Sequence, residues 1–178
     1  MFKLKSTKIG ILGGSFDPAH KGHLTISKIA LKKIKLKKIY WVVTKKNPFK
    51  EKTFFSLKDR IDKAKKISSK IKNIEVLYID DVIKSSKSIK VIQYILKKKK
   101  PKDLYFIVGS DILLKFHRWH SWKRIVKLTK LIVFSRKGYD RKSKKTIVVK
   151  YLNKNNITFI KNKPIEVSSS FLRKRVKI

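Results

Sequence analysis

The sequence predicts an α/β domain built on a doubly wound, mostly parallel sheet. Six short runs, at 8–12, 39–43, 74–79, 104–108, 131–134 and 157–160, are mostly apolar throughout rather than at every second residue, as in strands buried on both faces. Between them lie stretches whose apolar residues recur every three or four positions, the period of a helix with one buried face. Strands alternating with helices imply a sheet with helices on both sides. A length of 178 residues with 42% hydrophobic content is enough for one real core, so a single domain over 1–178 is expected.

Residues 8–12 (KIGIL) read as a strand that stops at Gly13 and Gly14, and Asp17 and Pro18 then give a turn. From about His20 to Ile34, the residues Ile26, Ile29, Ala30 and Ile34 mark an amphipathic helix. Residues 39–43 (IYWVV) form the second strand, followed by a polar loop around Asn47, Pro48 and Lys50. Leu57, Ile61, Ala64, Ile67 and Ile71 line the next helix. A strand at 74–79 leads to a helix marked by Ile89, Ile92 and Leu96 that ends before Pro101. The run LYFIV at 104–108 closes on Gly109, Ser110 and Asp111. Strands at 131–134 and 157–160 follow, and a short helix opens near Ser169.

Ligands of open parallel sheets bind beyond the carboxyl ends of the strands, where the winding reverses. Two polar segments meet that condition, Gly13 to His23 and Gly109 to Asp111, and they should be neighbours in space. The first puts glycines ahead of a helix N-terminus, whose unpaired amides and dipole favour phosphate. It has neither the GK[ST] ending of a P-loop nor the spacing of a dinucleotide fingerprint. Its HxGH pattern sets His20 and His23 three apart on one face, while Gly22 leaves room for a ligand. Two imidazoles there can donate to a phosphate that gains charge during transfer; a helix start with two solvent-facing histidines would read alike if the loop stood alone. Near the C-terminus, Ser168, Ser169 and Ser170 with Arg173 read either as a plain N-cap or as a second helix start aimed at phosphates. Beside the first loop, the second reading is the stronger.

Together, GGSFDPAHKGH and SSSFLR resemble the nucleotidyltransferases of the HxGH type, with their Rossmann-like fold, and within that group the nicotinate-nucleotide adenylyltransferases. The resemblance runs from Ile9 to Arg173. Asn47-Pro48-Phe49-Lys50 is similar to the family's Pro-Pro-His-Lys loop, with Phe49 in place of the histidine. Gly109-Ser110-Asp111 is similar to its Gly-Ala-Asp, Trp119 to the aromatic that stacks on the pyridine ring, and Arg136, followed by Gly138, to an Arg that precedes a Gly. Ser88 takes the place of the first threonine of a Ser-Tyr-Thr-x-x-Thr segment, and Val91 that of the second. The relative that makes dephospho-coenzyme A usually has Thr-Asn-Gly-His where this chain has His20-Lys21-Gly22-His23, and its Tyr-Arg-Gly segment has no counterpart here.

The resemblance implies transfer of the adenylyl group of ATP to nicotinate mononucleotide, giving nicotinate adenine dinucleotide and pyrophosphate. It implies His20, His23 and Arg173 as catalytic residues. Gly13, Gly14, Ser15, Phe16, Gly22, Gly109, Asp111, Arg136, Ser168, Ser169 and Ser170 join them around ATP, and Asp17, Asn47, Lys50, Ser88 and Trp119 bind the mononucleotide. Mg2+ enters with ATP, and no resident metal site is expected. Alternative acceptors are nicotinamide mononucleotide and phosphopantetheine.

The composition sets limits of its own. Zero cysteines exclude disulfides, thiolate catalysis and Cys-based metal sites. The apolar run Ile9 to Leu12 is too short for a signal peptide, and no stretch approaches the ~18 apolar residues of a membrane span; a soluble, cytoplasmic protein is expected. The net charge of +38 raises a rival, a basic nucleic-acid-binding protein on the same scaffold. Basic residues are spread evenly, however, 24 in 1–90 and 25 in 91–178, whereas a dedicated nucleic-acid surface clusters them. A lysine-rich bias is the preferred reading, with weak, salt-sensitive polyanion binding as its consequence. No specific nucleic acid and no membrane are expected as partners, and self-repulsion favours a monomer or small homo-oligomer. His117 and His120 repeat the three-residue spacing but lack carboxylate partners, so rim histidines are expected rather than a zinc site. Trp122 is expected in the core.

Overall fold

The structure, a computed structural model, describes residues 7–45, 52–163 and 169–176. Six strands form one sheet: β1 (Lys8–Gly14), β2 (Lys38–Val43), β3 (Ile74–Leu77), β4 (Asp103–Gly109), β5 (Lys130–Phe134) and β6 (Ile157–Ile160). Their order is β3-β2-β1-β4-β5-β6, and all neighbours are parallel. The winding reverses between β1 and β4, which places the two glycine-ended strands side by side as expected.

Alternate residues of each strand feed two cores. Ile11, Tyr40, Val42, Phe106 and Val133 pack on one face with α3 (Ser88–Lys99), α5 (Trp122–Leu128) and α7 (Ile147–Tyr151). Leu12, Trp41, Ile107 and Ile132 pack on the other with α1 (Lys21–Ile34) and α2 (Leu57–Ser68). Short helices α4 (Ser110–Leu113) and α6 (Asp140–Ser143) follow β4 and β5, and α8 (Ser169–Val176) ends the described chain. Gly10 permits the tight centre of the second core, since a Cβ there would lie 2.9 Å from Leu36 Cδ1 and 3.1 Å from Ile39 Cγ1.

Several boundaries differ from the sequence reading. β1 continues through Gly13 and Gly14, which pair with Val42 and Val43, so the glycines are strand rather than loop. β2, β4 and β5 each begin one charged residue early. Lys38 pairs with Glu75 at 2.6 Å and Lys130 with Asp103 at 2.8 Å, which gives those charged strand ends cross-strand partners. β3 stops at Leu77, and α2 stops at Ser68, Ile71 reaching the core from the turn beyond it. Trp122 is half-buried, packed against the first core and edge-on to Tyr151. Among the described residues no helix is long and apolar enough to cross a membrane.

Candidate active site

The first helix does not start at His20 but caps itself with it. His20 Nδ1 accepts the Gly22 N–H at 3.1 Å, and His23 Nδ1 accepts the His20 N–H at 3.2 Å. This reciprocal cap has a chemical consequence. With both Nδ1 atoms accepting, the proton of each neutral ring sits on Nε2. The two rings lie with centroids 3.9 Å apart.

Burial, and secondly the Arg136 guanidinium, push the His20 imidazole down to about 4, so it is neutral at physiological pH. The unfolded chain takes up a proton near 6.5, which the folded protein refuses until about pH 4. Above that window the group contributes nothing; as pH falls through it, stability is lost. Between pH 7.5 and pH 5 the loss is expected to be about 2 kcal/mol. Urea unfolding of wild type and His20→Gln at both pH values measures it, and equal losses in the two proteins would mean that His20 titrates normally.

His23 is held from below. Phe16, in a left-handed conformation at φ 47°, is buried with its ring 4.8 Å from that of His23 and 5.3 Å from that of Trp41. Trp41 Nε1 donates to Ser27 Oγ, which donates to the His23 carbonyl, both at 2.8 Å. Phe16 thus contributes its ring to the core and leaves only main chain to face a ligand. In front of Gly13, an added Cβ would meet nothing closer than Phe106 Cζ at 4.0 Å, so the strand end is open.

The distant serine segment docks on this loop. Ser169 Oγ donates to the Pro18 carbonyl at 3.0 Å, across 151 residues of sequence. Arg173 Nη1 donates to the Asp17 carbonyl at 2.6 Å, and Nη2 to Ser170 Oγ at 3.0 Å. Neither α1 nor α8 has an acidic residue in its first turn, so both helix starts keep their positive character beside one loop.

Next door, β4 ends at Gly109, where a Cβ would collide with Asp111 Oδ1. Arg136 Nε lies 3.8 Å from that oxygen. The Arg136 N–H donates to Ser110 Oγ at 2.9 Å and to Asp140 Oδ1 at 3.0 Å, and Ser110 Oγ donates to Asp140. Burial works against the Asp140 charge, but these bonds outweigh it and hold its carboxyl below the usual range.

Of the residues expected around the mononucleotide, Asp17 is 2% exposed. Its two oxygens accept the N–H groups of Phe54 and Phe55 at 3.0 and 2.9 Å, which makes it a holder of main chain. Trp119 is half-buried, stacked on Phe116 with centroids 4.9 Å apart. Ser88 is the first residue of α3. Asn47, Lys50 and Ser168 lie outside the described residues. His117 is half-buried and His120 exposed, and among the described residues no three His, Asp or Glu side chains are grouped as a metal site.

The sequence reading missed Arg60, Asp80 and Asp140, three charged residues whose side chains hold main chain. For Arg60 a signal existed: 60, 64 and 68 share a helix face on which Ala64 and Ser68 are small and buried, leaving room for a long side chain to fold inward.

A parallel sheet whose reversal point carries two paired imidazoles and two helix N-termini has the layout of an α/β protein for phosphorylated nucleotides. The chain belongs to the cytidylyltransferase-like family, which it matches over residues 11–175. It is 51% identical over 170 residues to the "probable nicotinate-nucleotide adenylyltransferase" of Pelagibacter ubique, covering 96% of this chain and 94% of that one. With the protein of the same name from Aquifex aeolicus it shares 36% identity, covering 90% and 98%. Its fold is similar to that of Plasmodium falciparum nicotinic acid mononucleotide adenylyltransferase complexed with NaAD, at a TM-score of 0.73 and 20% identity, over 94% of this chain and 83% of that one.

Proposed function

We propose that this chain, acting as a single cytoplasmic domain over residues 1–178, transfers the adenylyl group of ATP to nicotinate mononucleotide. The observation that carries the reading is the convergence of the His20–His23 pair and the start of α8 on one loop. The near full-length relatives of that name support the choice of acceptor.

An oxygen of the mononucleotide 5′-phosphate attacks the α-phosphorus of ATP in line, and the bond from that phosphorus to the bridging oxygen of pyrophosphate breaks. A phosphate monoester is already an adequate nucleophile, so the protein positions groups and neutralises charge. The Nε2–H groups of His20 and His23 donate to the phosphate oxygens, over the floor made by the main chain of Gly13, Gly14, Ser15 and Phe16. Ser168, Ser169, Ser170 and Arg173 hold the β and γ phosphates. Gly109, Asp111 and Arg136 flank the adenosine side, with Asp140 fixing the Arg136 backbone. Magnesium entering with ATP would be held by phosphate oxygens and water and would supply charge stabilisation to the departing pyrophosphate.

Trp119, backed by Phe116, supplies the stacking face for the pyridine. Trp119→Ala is expected to raise the mononucleotide KM about 5–10-fold, the scale of an aromatic stack, with the ATP KM within about 2-fold. Equal losses for both substrates would make Trp119 a core residue only.

The activity is tested by supplying ATP and Mg2+ with nicotinate mononucleotide, nicotinamide mononucleotide or 4′-phosphopantetheine and following pyrophosphate. The highest kcat/KM is expected with the nicotinate nucleotide. Preference for either other acceptor would reassign the substrate, and no pyrophosphate with salt-resistant DNA binding would favour a nucleic-acid-binding role.

A further inference from the structure

Arg60, 2% exposed on α2, takes over where β1 and β2 stop pairing. Their ladder ends with Gly14 opposite Val43, closed by the Thr44 N–H on the Gly14 carbonyl at 3.0 Å. The Ser15 carbonyl beyond β1 and the Thr44 carbonyl beyond β2 then turn to one nitrogen. Arg60 Nη1 donates to the first at 2.8 Å and to the second at 2.7 Å. Its Nε donates to the Phe55 carbonyl at 3.2 Å and its Nη2 to that of Lys45 at 3.5 Å. Burial works against the guanidinium charge, and the Asp17 and Asp80 carboxylates support it; an arginine keeps its proton and all its donors in such a place.

The peptide from Ser15 to Phe16 is trans. A carbonyl aimed at Arg60 therefore sends the Phe16 N–H the opposite way, out of the side that α2 covers. Among the described residues that N–H has no acceptor, although Phe16 is 2% exposed, and a buried N–H is rarely left without one. The Phe16 ring is packed against His23 and Trp41, and its φ is 47°. The ring thus fixes the residue from one side, and the Arg60 fork fixes the peptide plane in front of it. We propose that Arg60 is a positioning residue for the phosphate loop: it sets the Ser15–Phe16 peptide so that the Phe16 N–H is presented to a phosphoryl oxygen of ATP. This rests on the function proposed above, whose phosphate floor includes that main chain. Buried ionic groups add little net stability over a packed apolar side chain, because desolvation offsets their attraction. The effect of Arg60 is geometric, since a planar fork meets several carbonyls at once in a way a lysine cannot.

The test begins with wild-type protein isotope-labelled at the phenylalanine nitrogens. Adding ATP and Mg2+ without an acceptor is expected to shift the Phe16 amide resonance and to slow its hydrogen exchange about 10-fold or more. ATP binding by calorimetry with that amide unmoved overturns the proposal. Arg60→Lys keeps the charge and loses the fork. It is expected to bind ATP within about 3-fold of wild type, to lose the Phe16 protection, and to lower kcat about 10–10²-fold, the scale on which a misplaced group slows a reaction. A wild-type Phe16 response, or a kcat within about 3-fold of wild type, overturns the proposal. If Arg60→Lys shows no cooperative thermal melt, Arg60→Gln is read by the same two measurements with the same outcomes, and the wild-type measurement stands whatever either variant does. Wild-type protein that neither binds ATP nor releases pyrophosphate with nicotinate mononucleotide would remove the functional reading and this inference with it. An active enzyme whose Phe16 amide ignores ATP would remove this inference alone.

Discussion

Replacing His23 with alanine is expected to lower kcat about 10²–10³-fold, the scale on which enzymes lose a preorganised donor to a developing negative charge. The imidazole is fixed on every side: its Nδ1 accepts the His20 N–H, Phe16 packs against its ring, and Ser27 ties its carbonyl to Trp41. Its Nε2–H is therefore oriented before substrate arrives and needs little reorganisation as charge builds. The alanine variant also loses half of the reciprocal cap, at a cost of about 1 kcal/mol, so lost activity alone would not separate chemistry from folding. His23→Gln does so, because glutamine at this helix position reaches back to the cap N–H but offers no donor where Nε2 stood. The glutamine variant is expected to regain a thermal midpoint about 2–4 °C above the alanine variant while kcat stays at least 10²-fold down. Recovery of kcat together with the midpoint would reduce His23 to a cap.

What the chain discloses of itself follows from how local each signal is. The six strands and the three long helices between them are legible because burial on two faces, or on one helical face, writes a period into nearby residues. The HxGH pair is legible for the same reason, since three residues fix its geometry. Strand starts at Lys38 and Lys130 are not, because their partners Glu75 and Asp103 are distant in sequence and become neighbours only when the sheet forms. Arg60 and Asp80 are hidden for a related reason. An arginine among lysines on α2 looks like solvated surface until the ends of β1 and β2 bring the Ser15, Thr44 and Lys45 carbonyls to it. Asp17 lies in a recognisable motif, yet its work on Phe54 and Phe55 is invisible without the fold.

The large positive charge acquires a partial account from the same view. Lys32 and Lys33, Lys65 and Lys66, and Lys97 to Lys99 occupy the last turns of α1, α2 and α3, where cations complement the negative helix end. In a doubly wound sheet those ends lie at the amino edge of the strands, opposite the site. The lysines there serve helix termini and general repulsion, whereas the proposed phosphate edge offers two helix starts, the His20–His23 pair and a few arginines. On the proposed function, specific anion recognition comes from oriented donors, and the surface charge adds only weak, salt-sensitive attraction.

Arg173 is the arginine in which orientation and charge coincide, and Arg173→Ala is expected to reduce kcat/KM for ATP about 10²–10³-fold. Its guanidinium bridges α8 to the first loop through the Asp17 carbonyl and sits 3.5 Å from the Asp17 carboxylate. Two effects would be lost together: docking of the second helix start, and a fork suited to the β and γ phosphates. Ser169→Ala separates them, because it removes only the hydroxyl tether to Pro18. That variant is expected to lose less than about 10-fold, the scale of one neutral hydrogen bond. Arg173→Lys, which keeps the charge without the fork, should fall between the two. Steady-state rates with ATP varied at saturating mononucleotide give all three values. If Ser169→Ala matched Arg173→Ala, docking of α8 would explain the whole effect and the phosphate contact would be withdrawn. If Arg173→Lys kept wild-type kcat/KM, charge would suffice and the planar geometry would carry no weight.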